Sequence, residues 1–341
     1  MKCIQTTDAV GHVLCHDITR IVKDVVKDAV FRKGHIVQEE DIPLLLSMGK
    51  DHLYVWEKDA DTLHEDEAAQ ILYEVCRNEN MHPTPVKEGK IELIADCDGL
   101  FQVDVDRLDA INELDEMMIA TRHNNTAVKK GDRLLGTRII PLVIDKKKMD
   151  QAREVAGDTP LVSLTPFQPM KAGIVTTGNE VYHGRIKDTF TPVILEKLAA
   201  YGIESCGHII CDDNLKRISD AILKLKEEGA DMILCTGGMS VDPDDQTPGA
   251  IKASGAQIVT YGAPVLPGAM FLMAYFDDGT PIMGLPGCVM YAKATVFDLA
   301  LPRIAAGVEL TKRDFSRMGN GGFCLGCNTC HYPDCGFGKG A

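Results

Sequence analysis

Two rhythms of apolar and polar positions divide this chain. In residues 1–156 short runs of differing period follow one another in no regular order. Residues 11–18 and 51–56 are patterned as extended chain, the second run ending at Trp56. Residues 39–48 read as a short helix with Ile42, Leu45 and Leu46 apolar, stopped at Gly49. Thr62-Leu63-His64-Glu65 has the form of a capping box ahead of a helix over 66–77, on which Ala69, Leu72, Tyr73 and Cys76 share one face. Residues 90–95 and 134–144 read as strands, and 107–114 and 146–156 as helices. This pattern predicts a mixed α+β region.

Residues 157–170, with Pro160, Pro166 and Pro169, have the composition of an interdomain linker. Beyond it the pattern becomes regular. Strands are expected at 172–176, 204–211, 232–235, 256–261 and 281–285. Helices are expected at 192–201 (stopped by Gly202), 215–228 (with Ile218, Ile222 and Leu225 on one face), near 249–253, and at 289–301. Strand and helix alternating in this way predict an α/β fold, a doubly wound and mostly parallel sheet covered on both faces.

Composition narrows the function. At 341 residues two domains are expected. The balance of 36 basic against 50 acidic side chains gives a net charge of −14 with no basic stripe, which argues against nucleic-acid binding. A phosphate ligand would have to be held by local dipoles and a metal ion. There is no apolar signal-peptide core and no run long enough to span a membrane, so a cytoplasmic protein is expected. In that setting Asn124-Asn125-Thr126 is a chance match to a glycosylation acceptor. Eight of the twelve cysteines are scattered, as reduced thiols would be.

Candidate chemistry gathers where the predicted strands end. The strand at 232–235 runs into Thr236-Gly237-Gly238, followed by Ser240, Asp242, Asp244 and Asp245. Paired glycines let backbone approach a ligand closely. Hydroxyls, free amide N–H groups and carboxylates at a strand's carboxyl end suit a phosphorylated ligand with a hard cation, although a tight turn with solvated acids explains this loop alone equally well. Three other strand ends carry similar residues: Thr176-Thr177-Gly178-Asn179-Glu180, Asp212-Asp213-Asn214 and Gly284-Leu285-Pro286-Gly287.

These four segments together resemble the molybdopterin-binding domain shared by MoeA-type molybdopterin molybdenumtransferases, MogA-type molybdopterin adenylyltransferases and the gephyrin E domain. The resemblance covers roughly residues 171–305 and rests on Thr177–Glu180 (Thr-Gly-Asp/Asn-Glu), Asp212-Asp213, Gly237-Gly238-x-Ser240 with Asp245, and Gly284–Gly287 (Gly-Leu-Pro-Gly). Fainter similarity to the molybdenumtransferase lies in Gly11-His12-Val13-Leu14 with Asp17-Ile18, and in residues 33–56. The resemblance implies a molybdopterin or adenylyl-molybdopterin ligand, molybdate as co-substrate, Mg²⁺-dependent molybdate insertion, and a homodimer. By its roles Glu180, Asp212 and Asp245 would position Mg²⁺ and carry the catalytic function, while Thr177, Gly178, Gly237, Gly238, Ser240, Pro286 and Gly287 would contact the pterin ligand. A carrier that delivers molybdopterin to a molybdenum enzyme, or an adenylyltransferase, are the alternatives.

Two departures favour binding over metal transfer. Cys288-Val289 stands where the molybdenumtransferase has Asn-Pro, and Leu266-Pro267-Gly268-Ala269-Met270 stands where it has Lys-Pro-Gly-Lys-Pro. Conversely, Asp245-Gln246-Thr247-Pro248 is similar to the adenylyltransferase's Asp-Val-Thr-Pro.

The last four cysteines are concentrated, not scattered. Cys324-x2-Cys327-x2-Cys330-x4-Cys335 closes the chain within a glycine-rich segment at 319–341. Such spacings bring thiolates to one centre, either a [4Fe–4S] cluster or a zinc ion, for which His331 is a substitute ligand. A metal-binding tail is expected.

Overall fold

The computed structural model describes residues 2–22, 26–55 and 61–340. Trp56 therefore lies outside the described residues. The chain divides into two compact units, residues 1–96, 103–122 and 130–163 in the first and 97–102, 123–129 and 164–341 in the second. Among the described residues no helix is long and apolar enough to cross a membrane.

In the first unit an antiparallel sheet runs in the order Met81–Pro83, Lys90–Ala95, Arg133–Ile139, Met117–Thr121. The helix Glu65–Cys76 buries Ala68, Ala69, Leu72 and Cys76. Its start differs from the sequence expectation. Thr62–His64 is a strand paired with Val143–Asp145, so the cap moves to His64, whose ring accepts from the Asp66 N–H while Glu67 reaches back to the His64 N–H. Cross-strand pairing takes up the backbone of Thr62 and removes it from the capping role.

The second unit contains the predicted alternation: β1 (Lys171–Thr177), α1 (Phe190–Ala199), β2 (Glu204–Cys211), α2 (Leu215–Glu227), β3 (Met232–Thr236), α3 (Thr247–Ala253), β4 (Gln257–Tyr261), β5 (Leu272–Tyr275), β6 (Pro281–Leu285) and α4 (Val296–Ala305). The sheet order is β2-β1-β3-β6-β5-β4, with β2, β1, β3 and β6 parallel and β5 antiparallel to both its neighbours. β5 is a strand the periodicity does not announce. The last helix also starts later than its apolar run, because Gly287–Met290 forms a separate short turn and Thr295 caps α4 with Asp298.

Side-chain alternation explains the layers. Ala172, Ile174, Met232, Leu234, Met273, Met283 and Leu285 face α1 and α4 in one core. Val175, Ile233, Cys235, Leu272, Ala274 and Ile282 face α2 and α3 in the other. Strands covered on both faces read as continuous apolar runs, as β1 and β3 do.

A segment read as a linker and the expected metal-binding tail are both packed into the structure. Val162–Pro166, inside the proline-rich stretch read as a linker, is a strand in a three-stranded sheet with Gly99–Val103 and Thr126–Val128. The cysteine-rich tail joins the α4 core through Phe337, with Cys324, Tyr332 and Cys335 packed against it.

Candidate active site at the carboxyl edge of the sheet

Strand register decides what the four motifs can do together. Thr177 lies beside Cys211, Thr176 beside Thr236, and Thr236 beside Leu285. The parallel strands thus end level, and residues 178–180, 212–213, 237–240 and 286–287 leave the sheet at one edge, the usual ligand edge of such folds.

Close packing accounts for the two loop glycines. Gly237 has φ +81° and Gly238 φ +55°. A Cβ on Gly237 would overlap the Thr177 carbonyl oxygen and lie 2.8 Å from Thr177 Oγ1. On Gly238 it would lie 2.8 Å from Thr247 Oγ1. Thr247, the first residue of α3, donates to the Gly237 carbonyl at 2.8 Å and meets Thr177 Oγ1 at 3.2 Å. Thr177 and Thr247 are both buried, so this hydroxyl pair clamps loop to strand from beneath. At Gly284 a Cβ would sit 2.5 Å from Met239 Sδ, a contact the flexible methionine tip can relieve by moving. Pro286 is buried, while Gly287 is exposed with open space where a side chain would project. Gly178, at φ +135°, turns the chain from β1 into the short helix Asn179–Tyr182.

The acids sort differently from the expected trio of Glu180, Asp212 and Asp245. Asp212 Oδ2 pairs with Arg217 at 2.9 Å, but its Oδ1 is buried without a hydrogen-bond partner. Asp213 Oδ2 accepts from the Asn179 N–H at 2.9 Å. Burial raises the Asp213 carboxyl above the usual range despite that bond, and the charges of Glu180, Asp244 and Asp212 raise it further. Asp213 is therefore the centre of an acidic group that includes Asp244, and the sequence assigned a role to neither. Asp245 serves its own loop: its carboxylate accepts from the Asp242 N–H at 3.0 Å, and its N–H donates to the Asp242 carbonyl at 3.0 Å. Tyr261 braces the same loop by donating to the Met239 and Ser240 carbonyls at 3.0 and 3.3 Å, and burial with the nearby Asp245 charge raises its phenol. Ser240 itself is exposed.

Under the threonine clamp lies a polar network that no sequence motif signalled. Thr176 Oγ1 meets His208 Nε2 at 2.9 Å and Thr236 Oγ1 at 3.2 Å, and the His208 ring lies 3.5 Å from Asp188. Burial works against the Asp188 carboxylate, but hydrogen bonds from Thr191 and the Phe190 N–H, with His208 beside it, outweigh burial and hold it below the usual range. Threonines at the ends of otherwise apolar strands were the one available hint.

Among the described residues no three His, Cys, Asp or Glu side chains are grouped as one metal ion alone would require. This applies to Glu180, Asp212 and Asp245 and to the tail thiols alike. Mg²⁺, however, is commonly held by one or two carboxylates plus substrate phosphates, and the bare Asp212 Oδ1 beside a charge-crowded Asp213 fits that donor set. The tail thiols are distributed around a cavity of about 480 Å³, with Cys324 and Cys335 half-buried and Cys327 and Cys330 exposed. A cavity of about 800 Å³ lies at the opposite edge of the sheet, around Ala230, Asp231 and Thr280, which precede β3 and β6, and it contains none of the strand-end motifs.

Residues 173–306 match a family described as "Probable molybdopterin binding domain", and residues 3–57 match a family described as a domain of unknown function. Among curated relatives, a Bacillus cereus (strain AH187) protein named as competence-damage inducible is 38% identical over 97 residues, 28% of this chain and 23% of that protein. A Bacillus anthracis protein of the same name gives the same figures. The chain thus matches less than a quarter of the length of these relatives. Solved structures include the molybdopterin biosynthesis enzyme MoaB of Thermus thermophilus, at 24% identity over 40% of this chain and 97% of that one, with a TM-score of 0.36. The tungsten cofactor synthesizing protein MoaB of Pyrococcus furiosus is 20% identical over 40% and 92%, with a TM-score of 0.34. Residues 173–306, which hold the level strand ends and the glycine-threonine clamp, are thus the part of the chain that matches the family described as a probable molybdopterin binding domain.

Proposed function

We propose that the carboxyl edge of this sheet binds molybdopterin through its phosphate or adenylate with Mg²⁺, and that it serves molybdate insertion into that ligand. The observation that carries the reading is the buried, unpartnered Asp212 Oδ1 next to the acidic group around Asp213. A bare carboxylate oxygen in a crowded acidic group calls for a cation, and a cation there offsets the charge an acidic protein cannot neutralise with side chains. Asp212 and Asp213 would hold the ion, which supplies charge neutralisation and Lewis acidity at the ligand's oxygens. The absence of side chains at Gly237 and Gly238 lets the loop pack onto Thr177 and Thr247, and that clamp would hold the loop backbone in place for the ligand. The contribution of these residues is positioning and electrostatics.

A second reading, a molybdopterin carrier, is favoured by one specific observation. The segment where the resemblance calls for lysines, Leu266–Met270, pairs through Leu266 with the cysteine tail.

The test is titration of purified protein with molybdopterin and adenylyl-molybdopterin, with and without Mg²⁺, followed by addition of molybdate. Expected is Mg²⁺-dependent binding and cofactor formation. Asp213→Asn should weaken binding at least tenfold and abolish its Mg²⁺ dependence while the circular dichroism spectrum stays the same. Binding without cofactor formation selects the carrier; an absence of binding by the wild-type protein ends both readings.

A further inference from the structure

We propose that Cys324, Cys327, Cys330 and Cys335 bind an iron–sulfur cluster of the [4Fe–4S] type, in an apolar cavity built onto the second unit. This goes beyond pterin binding and does not depend on it.

The tail is held at both ends and has no regular structure between them. At its entrance the Leu266 N–H donates to the Gly322 carbonyl and the Cys324 N–H to the Leu266 carbonyl, both at 2.8 Å. At its exit the half-buried Tyr332 donates to the Asp298 carbonyl at 2.8 Å and meets Phe337 edge-on at 6.1 Å. Phe337 is 5% exposed, and the Gly338 N–H donates to the Gly321 carbonyl at 2.9 Å, closing the loop at its base. Close approach makes the glycines necessary: a Cβ on Gly321 would lie 2.6 Å from the Gly340 nitrogen. Between these anchors residues 324–335 form neither helix nor strand. A cysteine-dense loop of this kind gains its order from a cross-link or a metal, and all four thiols are free.

All four thiols line the one cavity of about 480 Å³, with Pro267, Ala292, Ala294, Phe323, Leu325 and Phe337 among its walls. Phe323 and Leu325, which flank Cys324 among these walls, are 68% and 81% exposed.

Spacing, together with the spread of the thiols around the cavity, favours a cluster over a single ion. Tetrahedral zinc, with Zn–S bonds of about 2.3 Å, needs its thiolates roughly 3.8 Å apart. Among the described residues no three ligands meet that kind of requirement. Thiols spread around a cavity suit an inorganic core several atoms across, and two successive two-residue gaps are the spacing such cores use. The fourth thiolate, four residues on, comes from the far wall, where Cys335 packs against the α4 core.

The experiment is anaerobic reconstitution of the full chain with iron and sulfide, followed by metal and acid-labile sulfide analysis and visible absorption. Expected are about four irons and four sulfides per chain with broad visible absorption. Cys327→Ser and Cys330→Ser, both at exposed positions, should lower iron content at least fivefold with circular dichroism unchanged, and Cys3→Ser should leave it as it was. A colourless protein holding one zinc overturns the proposal. So does a protein that takes up no iron, or a Cys330→Ser variant that retains its full iron content.

Discussion

Gly237→Ala is expected to destabilise the second unit by about 3 kcal/mol or more and to abolish pterin binding. Two costs combine. An alanine at φ +81° is held in left-handed backbone, worth roughly 1–2 kcal/mol. Its methyl group would also overlap the Thr177 carbonyl oxygen, and overpacking typically costs about 1–3 kcal/mol. Neither neighbour can yield cheaply, because Thr177 is buried at the end of a central strand and its hydroxyl is engaged by Thr247. Urea denaturation of the variant measures the loss. The control is Gly287→Ala, where the added methyl group meets open space and stability should change by less than about 0.5 kcal/mol. Equal losses at the two positions would show that the close approach at Gly237 is not what the loop depends on.

Stability of the first unit should fall as pH rises from about 5 to 8, and Glu65 is the reason. This side chain is 9% exposed at the start of its helix. Burial, with the adjacent Asp66 and Glu88 charges, pushes its carboxyl from 4.5 up to about 7 against the opposing Arg138 and Lys33. A raised acid holds its proton more firmly in the folded state, so its contribution is fully present below pH 4.5 and is lost as pH passes through about 7. At about 1.4 kcal/mol per tenfold change, the upper limit is roughly 3 kcal/mol. His16 acts in the opposite sense, because burial lowers its pKa and the folded state gains as pH rises toward 6.5. The informative quantity is therefore the difference between proteins. Glu65→Gln should remove the decline between pH 5 and 8, and a parallel pH profile for the two would assign the slope elsewhere.

The alternating half of the chain was legible because parallel strands buried on both faces leave contiguous apolar runs, and glycines mark the helix ends. Glu204–Cys211 and Pro281–Leu285 occupy the residues their patterns predict. Leu272–Tyr275 was not legible: it is antiparallel, four residues long and buried from Leu272 to Ala274, between the strands that precede and follow it. The first unit gave less for the same reason. Its strand Met117–Thr121 is defined by pairing with Arg133–Ile139, and nothing local requires either to be extended.

The motifs themselves were readable in order along the chain, since each needs only a turn's local chemistry: Gly for close approach, Thr and Asp for hydrogen bonding. The division of labour among the acids was not. Asp242, Asp244 and Asp245 are near-equivalents in sequence, and only the folded loop turns Asp245 back to the Asp242 N–H while setting Asp244 toward Asp213. The same holds for Asp188, Thr191 and His208, which are unremarkable in sequence and become one network with Thr176 when α1 packs beside β1 and β2.

The sequence by itself determined the class of fold in residues 171–305, the strand ends where Gly, Thr and Asp gather and the presence of a concentrated thiol group, because periodicity, turn residues and cysteine spacing are local properties. The tertiary structure alone decided that the four strand ends are level, that Asp212 Oδ1 is buried without a hydrogen-bond partner while Asp213 is crowded by neighbouring charges, and that the tail is anchored to the α4 core through Tyr332 and Phe337. Burial and charge proximity depend on residues far apart in the chain, and no local pattern encodes them.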